Sequence, residues 1–166
     1  MKYETSRELP RLQDIRKEQD VRKETAVPTN NYLILLADDE MDNLVMLSLE
    51  LQSAGYRVLT VSNGAEAVTA AGVAHPNLIL MDISMPIMDG LEAARKIRAD
   101  PVMSNIPIVA LTAFETEGFR RAAYDAQMEG YLTKPIDFDR LHTLIGRLLS
   151  RAFGPEADNS PRAREA

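Results

Sequence analysis

Between Tyr32 and Ser150 the chain changes its hydrophobic period repeatedly, and that alternation leaves few folds open to it. Tyr32–Ala37, Asn77–Met81 and Ile106–Leu111 are apolar runs of the kind that form strands buried on both faces. Shorter strands are expected at Arg57–Val61 and Gly130–Thr133. Segments with helical spacing lie between them. Asp42–Ala54 sets Leu44, Leu47, Leu51 and Ala54 on one face before Gly55 stops it. Ala65–Ala74 follows Asn63-Gly64 and Leu91–Ala99 follows Asp89-Gly90, two turn signals. Glu115–Gln127 and Asp137–Ser150 complete the set, the last with Phe138, Leu141, Leu144, Ile145 and Leu148 inward. Apolar strands alternating with amphipathic helices imply an α/β fold, a parallel sheet covered on both faces.

The flanking segments have another character. Residues 1–30 alternate charges, with seven basic and six acidic side chains. Leu9, Leu12 and Ile15 form at best a short apolar stripe there. This reads as an arm, either helical or flexible, set off by Pro28, and residues 151–166 read as a flexible tail. The intervening 31–150 holds nine basic and sixteen acidic side chains. That acid surplus argues against direct binding of nucleic-acid backbone. No cysteine is present, so disulfides and thiolate metal sites are excluded. No apolar run approaches the roughly 20 residues of a membrane span, and the N-terminus has no signal-peptide core. A cytoplasmic location is expected, with no membrane partner. Sixteen residues after Ser150 are too few for an output domain, so output is expected through a partner.

In parallel sheets of this type, ligands sit beyond the carboxyl ends of the strands. There the sequence places Asp38-Asp39, Asp82, Thr112 and Lys134-Pro135. Singly, each has an ordinary reading: a helix N-cap for Asp38 or Asp39, an Asx-turn for Asp82, a loop hydroxyl and a solvated lysine. Together they form a specific chemistry. Three clustered carboxylates repel and need a cation to stay ionised. Oxygen donors without His or Cys suit Mg²⁺ or Mn²⁺. With Lys134 as a second positive charge, the set is what in-line phosphoryl transfer onto Asp82 requires. Thr112 is placed to give the product phosphoryl group a hydrogen bond.

The segments LLADDE, LILMDISMPIMDG, VALTA and GYLTKPI, in this order and spacing, resemble the receiver domain of two-component response regulators. The resemblance covers Tyr32 to Ser150. It implies a flavodoxin-like (βα)5 fold with strand order 2-1-3-4-5, in a stand-alone response regulator of a bacterial two-component or phosphorelay system. By the same likeness Asp82 is the phospho-acceptor, and Asp38 and Asp39 are the acidic pair. Asp39, Asp82 and the Ser84 backbone carbonyl are the protein's Mg²⁺ ligands, with Asp38 acting through water. Thr112 and Tyr131 are the switch residues, Lys134 binds phosphate, and Lys134–Pro135 is a cis peptide. The donor is a sensor histidine kinase or histidine phosphotransfer protein. The surface of Glu115–Gln127, Gly130–Thr133 and Asp137–Ser150 is where a downstream protein reads the switch, the chain being a monomer or a phosphorylation-dependent dimer.

Some positions vary or depart from the family pattern. Ser84 and Phe114 flank the phosphoryl position, and Phe114 is expected to shield Asp82 partly from water. Gln127 stands where a glycine usually closes the fourth helix, so either that helix ends differently or the segment before Tyr131 is looser. His75 and His142, without a nearby carboxylate or nucleophile motif, read as ordinary surface histidines. Met81, Met85 and Met88 read as core and loop packing. Two other functions fit the fold. One is a docking module that works without phosphorylation, but its mark would be the loss of an acid, the threonine or the lysine. The other is an aspartyl-phosphate phosphatase, which usually carries a second acid two residues after the nucleophile, where this chain has Ser84.

Overall fold

A computed structural model describes residues 31–154; the expected arm over 1–30 and residues 155–166 of the tail lie outside the described residues, whereas 151–153, expected to be flexible, continue the last helix. Five strands, β1 (Leu33–Ala37), β2 (Arg57–Val61), β3 (Leu78–Asp82), β4 (Ile108–Thr112) and β5 (Gly130–Thr133), form one sheet in the order β2-β1-β3-β4-β5. Every pairing is parallel. The helices are α1 (Met41–Ser53), α2 (Gly64–Ala74), α3 (Gly90–Ala99), α4 (Glu117–Asp125) and α5 (Phe138–Phe153).

Successive strand residues point to opposite faces, which divides the core in two. Ile34, Leu36, Leu78, Leu80, Val109 and Leu111 face α1 and α5, which contribute Leu44, Leu47, Leu51, Leu141, Ile145 and Leu148. Leu35, Ile79, Met81, Ile108 and Ala110 face the other layer. That layer is rich in alanine: Ala67 and Ala71 of α2, Ala93 and Ala94 of α3, and Ala123 of α4. Each buried leucine contributes about 2 kcal/mol, and the small alanines let helix backbones come close to the sheet. The three central strands, β1, β3 and β4, are almost wholly buried, whereas the edge strand β2 is half exposed. Met81 and Met85 are buried and Met88 packs against them, as expected of filler.

The boundaries differ from the expected ones in ways that matter at the carboxyl edge. β3 and β4 run one residue further than their apolar patterns, so Asp82 and Thr112 are the last residues of the strands. Strand geometry, not loop geometry, therefore sets both backbones. Pro107 lies just before β4, and its carbonyl accepts from Ile79 N–H at 2.9 Å. α5 continues to Phe153, whose ring meets Tyr32 at 5.8 Å between centroids. α4 is shorter than expected, without the first two residues and the last two.

Gln127 resolves the question raised by its missing glycine. It takes a left-handed φ of 57°, and the helix still closes as it would around glycine. Gln127 N–H donates to Tyr124 O at 2.8 Å and Met128 N–H to Ala123 O at 3.0 Å, the paired bonds of a Schellman motif. The segment before Tyr131 is thus tightly closed, at a backbone cost of about 1 kcal/mol.

Candidate functional site

The carboxyl edge is built by loops that pack on one another. Asp89 caps α3 by accepting from Glu92 N–H at 2.7 Å. Gly90 is needed for space: a Cβ there would lie 2.0 Å from the Asp82 carbonyl oxygen. Gly90 N–H also donates to Ile83 O at 3.0 Å, which ties the start of α3 to the end of β3. Gly64 plays the same part for α2, since its Cβ would meet Met88 O at 2.5 Å. Asp89-Gly90 and Asn63-Gly64 are therefore caps followed by close contacts, more than plain turns. Between Pro86 and Met88 the loop closes a three-residue turn at Ile87, with φ 69° and a 2.7 Å bond from Met88 N–H to Pro86 O. A β-branched residue in that region stores roughly 1–3 kcal/mol of strain.

Four of the expected site residues come together here. Carboxylate oxygens of Asp38, Asp39 and Asp82 lie within 4.8 Å of one another. Lys134 Nζ donates to Asp38 Oδ2 at 2.7 Å and to Asp82 Oδ2 at 2.6 Å, across the gap between β5 and the two central strands. Asp38 and Asp82 are buried, whereas Asp39 is exposed. The ordinary reading of Asp82, an Asx-turn, holds at the same time as the cluster, whereas Lys134 is not a solvated lysine but is bonded to two acids. Asp82 Oδ1 accepts from Ser84 N–H at 2.9 Å, an Asx-turn, and Asp38 Oδ1 accepts from Glu40 N–H at 2.9 Å, another. Neither Asp38 nor Asp39 caps α1, whose N-cap is Glu40. Local turns fix the carboxylates' orientation and leave their second oxygens for Lys134.

Charge in the cluster is unevenly compensated. Burial pushes the Asp82 carboxyl above its ordinary value and the Asp38 charge adds to this; Lys134 and the Ser84 N–H pull the other way without cancelling it. Burial alone would lower the Lys134 ammonium, but its bonds to Asp38 and Asp82 outweigh that and raise it. One ammonium thus leaves acid to spare. Three carboxylates of oxygen-only chemistry around that excess are a fit for Mg²⁺.

Thr112 and Tyr131 sit beside the cluster and not in it. Thr112 is fully buried, and its hydroxyl accepts from Phe114 N–H at 3.1 Å. Tyr131, in β5, packs against the alanine-rich layer and donates its hydroxyl to the Phe114 carbonyl. Arg120 of α4 lies 5.5 Å above its ring. The Phe114 ring stacks on Phe119 at 4.8 Å between centroids and is about half exposed, at 47%. Lys134–Pro135 is cis.

Two contacts escape a reading by sequence motif. Asn43, in the first turns of α1, donates to both Asp38 oxygens, at 3.2 and 3.3 Å, and to Glu40 Oε2 at 3.0 Å. Its position five residues after Asp38, one helical turn into α1, is a signal that could have found it. His142 does have a carboxylate partner: Nε2 lies 2.7 Å from Glu50 Oε1, joining α5 to α1. That partner is 92 residues away in sequence, beyond any local pattern, and His142 is only partly exposed. His75 is exposed, as expected, and ends α2 with a left-handed φ of 47°.

Residues 34–146 match the response regulator receiver domain. The chain belongs to the response regulator receiver domain family. Among its relatives, the probable transcriptional regulator ycf27 of Cyanophora paradoxa is 34% identical over 126 residues, 76% of this chain. The chain spans only 52% of that relative's length. The polar-differentiation response regulator DivK of Brucella ovis is 31% identical over 119 residues, covering 72% of this chain and 97% of DivK. Among solved structures, the receiver domain of the sensor histidine kinase PA1611 from Pseudomonas aeruginosa PAO1 superposes with a TM-score of 0.69 at 37% identity. It covers 72% of this chain and 98% of its own, and it was solved with a magnesium ion coordinated in its active-site cleft. As a receiver domain, this chain has the flavodoxin-like order 2-1-3-4-5 that the resemblance implied. Among the described residues, no helix is long and apolar enough to cross a membrane.

Proposed function

We propose that the chain is a phospho-accepting switch, with Asp82 taking a phosphoryl group from a phosphohistidine on a sensor histidine kinase or histidine phosphotransfer protein. The observation that carries this reading is a buried Asp82 carboxylate, fixed at a strand tip and only partly neutralised by Lys134. In the transfer, a carboxylate oxygen of Asp82 bonds to phosphorus as the P–N bond breaks, and the leaving imidazole nitrogen keeps the electron pair. Lys134, released from Asp82, neutralises a phosphoryl oxygen, and the Ser84 N–H keeps the acceptor carboxyl oriented. Asp39, Asp82 and the Ser84 carbonyl, with Asp38 through water, would hold Mg²⁺, which when bound neutralises carboxylate and phosphoryl charge.

After transfer, the Thr112 hydroxyl leaves Phe114 N–H for the phosphoryl group, and this loosens the β4–α4 loop that holds Tyr131. A protein partner then reads the surface of α4, β5 and α5, whether the receiver is a monomer or pairs on phosphorylation. The setting would be the cytoplasm. The test is the amide spectrum with Mg²⁺ and beryllofluoride, which mimics aspartyl phosphate. Shifts at Asp82, Thr112 and Tyr131, absent from Asp82→Asn, are expected; an unchanged wild-type spectrum overturns the switch and favours phosphorylation-independent docking. Sustained turnover of a simple phosphomonoester would instead point to a phosphatase.

A further inference from the structure

At the amino edge of the sheet, opposite the acidic cluster, Arg98 of α3 makes an unusually complete set of bonds. Its Nε donates to Gln127 O at 3.0 Å, and its Nη1 to Ser104 O at 3.1 Å and Ile106 O at 2.7 Å. Nη2 donates to both Glu129 oxygens, at 2.9 and 2.8 Å. A guanidinium has five N–H donors in a rigid fork, and all three of its nitrogens are bonded here. Glu129 Oε2 in turn accepts from Ile108 N–H at 2.7 Å. One buried side chain, 8% exposed, thus joins α3, the α3–β4 connection, the start of β4 and the α4–β5 connection.

The two ends of α4 are held very differently. At its carboxyl end Ala126 and Met128 are buried, the Schellman bonds close, and Arg98 grips the carbonyl of left-handed Gln127. At its amino end residues 113–118 are all exposed, and the Thr116 side chain makes no capping bond. Only Ala123 of α4 is buried. What holds the amino end is the Phe114–Phe119 stack, the Arg120–Tyr131 contact and the Tyr131 bond to Phe114 O. The stack and the Tyr131 bond both run through Phe114, in the loop that follows Thr112, and the Arg120–Tyr131 contact joins α4 to β5.

We propose that Arg98 is a positioning residue for the switch, a fixed anchor that makes α4 swing about Gln127 when the β4–α4 loop moves. The left-handed Gln127 is a natural weak point, and the fork on its carbonyl and on Glu129 holds it in place. Motion is thereby confined to the amino-terminal part of α4 and to Tyr131, and β5 begins from a stationary point. The switch half of this proposal rests on the function proposed above; the anchor half does not.

Hydrogen exchange and amide shifts on the full chain separate the two. In the wild type, the bonded amides of Gln127, Met128 and Glu129 should exchange far more slowly than those of Arg120 and Arg121. Arg98→Lys keeps the charge but loses the fork. It should lower protection at 127–129 by roughly tenfold or more while β1 and β3 stay unchanged. With Mg²⁺ and beryllofluoride, shifts within α4 and β5, confined in the wild type to residues 112–124 and 131, should spread through 126–129 in the variant. Glu129→Gln, which keeps an acceptor for Ile108 N–H, should fall between the two, and it carries the test if Arg98→Lys does not fold. Equal protection at both ends of wild-type α4 would overturn the anchor, as would a uniform loss across the sheet or variants indistinguishable from wild type. A wild type that ignores beryllofluoride but keeps the exchange contrast overturns the switch half alone.

Discussion

Asp82 carries the main tension in the molecule at the scale of single residues. Its folded-state pKa is raised above the unfolded value of about 4, first because it is buried. The sign follows: the proton is bound more tightly in the folded state, so the ionised carboxylate opposes folding at neutral pH. That opposition is relieved as pH falls through the raised folded value and is gone below the unfolded one. Lys134, raised as well, contributes stability that is present below about 10.4 and lost as pH rises through its folded value. Asp82→Asn should therefore be more stable than wild type in metal-free buffer at pH 7, by about 1 kcal/mol in urea unfolding. That advantage should shrink as pH is lowered toward 4. Phe114→Ala removes an aromatic that is already half exposed and stacked on Phe119. It should shorten the lifetime of the aspartyl phosphate, read by phosphate release from the isolated phosphorylated protein; an unchanged lifetime would mean the ring does not shield Asp82.

Among the elements, the β3–α3 unit has the least slack. Gly90 lets the first turn of α3 rest on the Asp82 backbone, and Asp89 caps the same turn. Gly90→Ala puts a methyl where the Asp82 carbonyl already is, so either strand tip or helix must move. Overpacking of this kind costs about 1–3 kcal/mol, and here it should also weaken Mg²⁺ binding, because the displaced atoms carry the acceptor carboxylate. Thermal unfolding and metal titration of the one variant check both. α1 offers a milder case. Ser48 has a buried hydroxyl without a hydrogen-bond partner among the described residues, and Ser48→Ala should raise stability by about 1 kcal/mol, from the better helix propensity and the removal of that orphan group. α4, by contrast, buries little and is held mainly from its carboxyl end, which suits an element that has to move.

At the scale of the whole molecule, the two-layer core holds three acids in one place at the expense of electrostatic repulsion. A divalent cation bound there links site occupancy to global stability. At 100 times its dissociation constant, Mg²⁺ should add about 2.7 kcal/mol to the unfolding free energy, with little of this in Asp82→Asn or Asp39→Asn. A wild type whose melting is insensitive to Mg²⁺ would mean the cluster does not bind it.

Strand and helix types, the parallel sheet and the acids at its carboxyl edge were legible in the sequence, because period, apolar runs and motif spacing are local properties. Leu44, Leu47 and Leu51 had to face inward wherever α1 lay, and LILMD could hardly be anything but a central strand ending in a carboxylate. Strand ends were less legible, since pairing with β4 and the Ile83 bond to Leu111 O carry β3 on through Asp82, beyond the apolar pattern. Contacts between distant segments were not legible at all. Arg98 with Glu129 and His142 with Glu50 are ordinary polar residues until the fold brings their partners to them. Gln127 shows the same limit, because its left-handed backbone is held by an arginine 29 positions earlier. The sequence by itself determined which chemistry could gather at the sheet's edge. Only the tertiary structure decided which side chains hold that chemistry in place, because side chains far apart in the chain become neighbours only when the sheet and its helices pack.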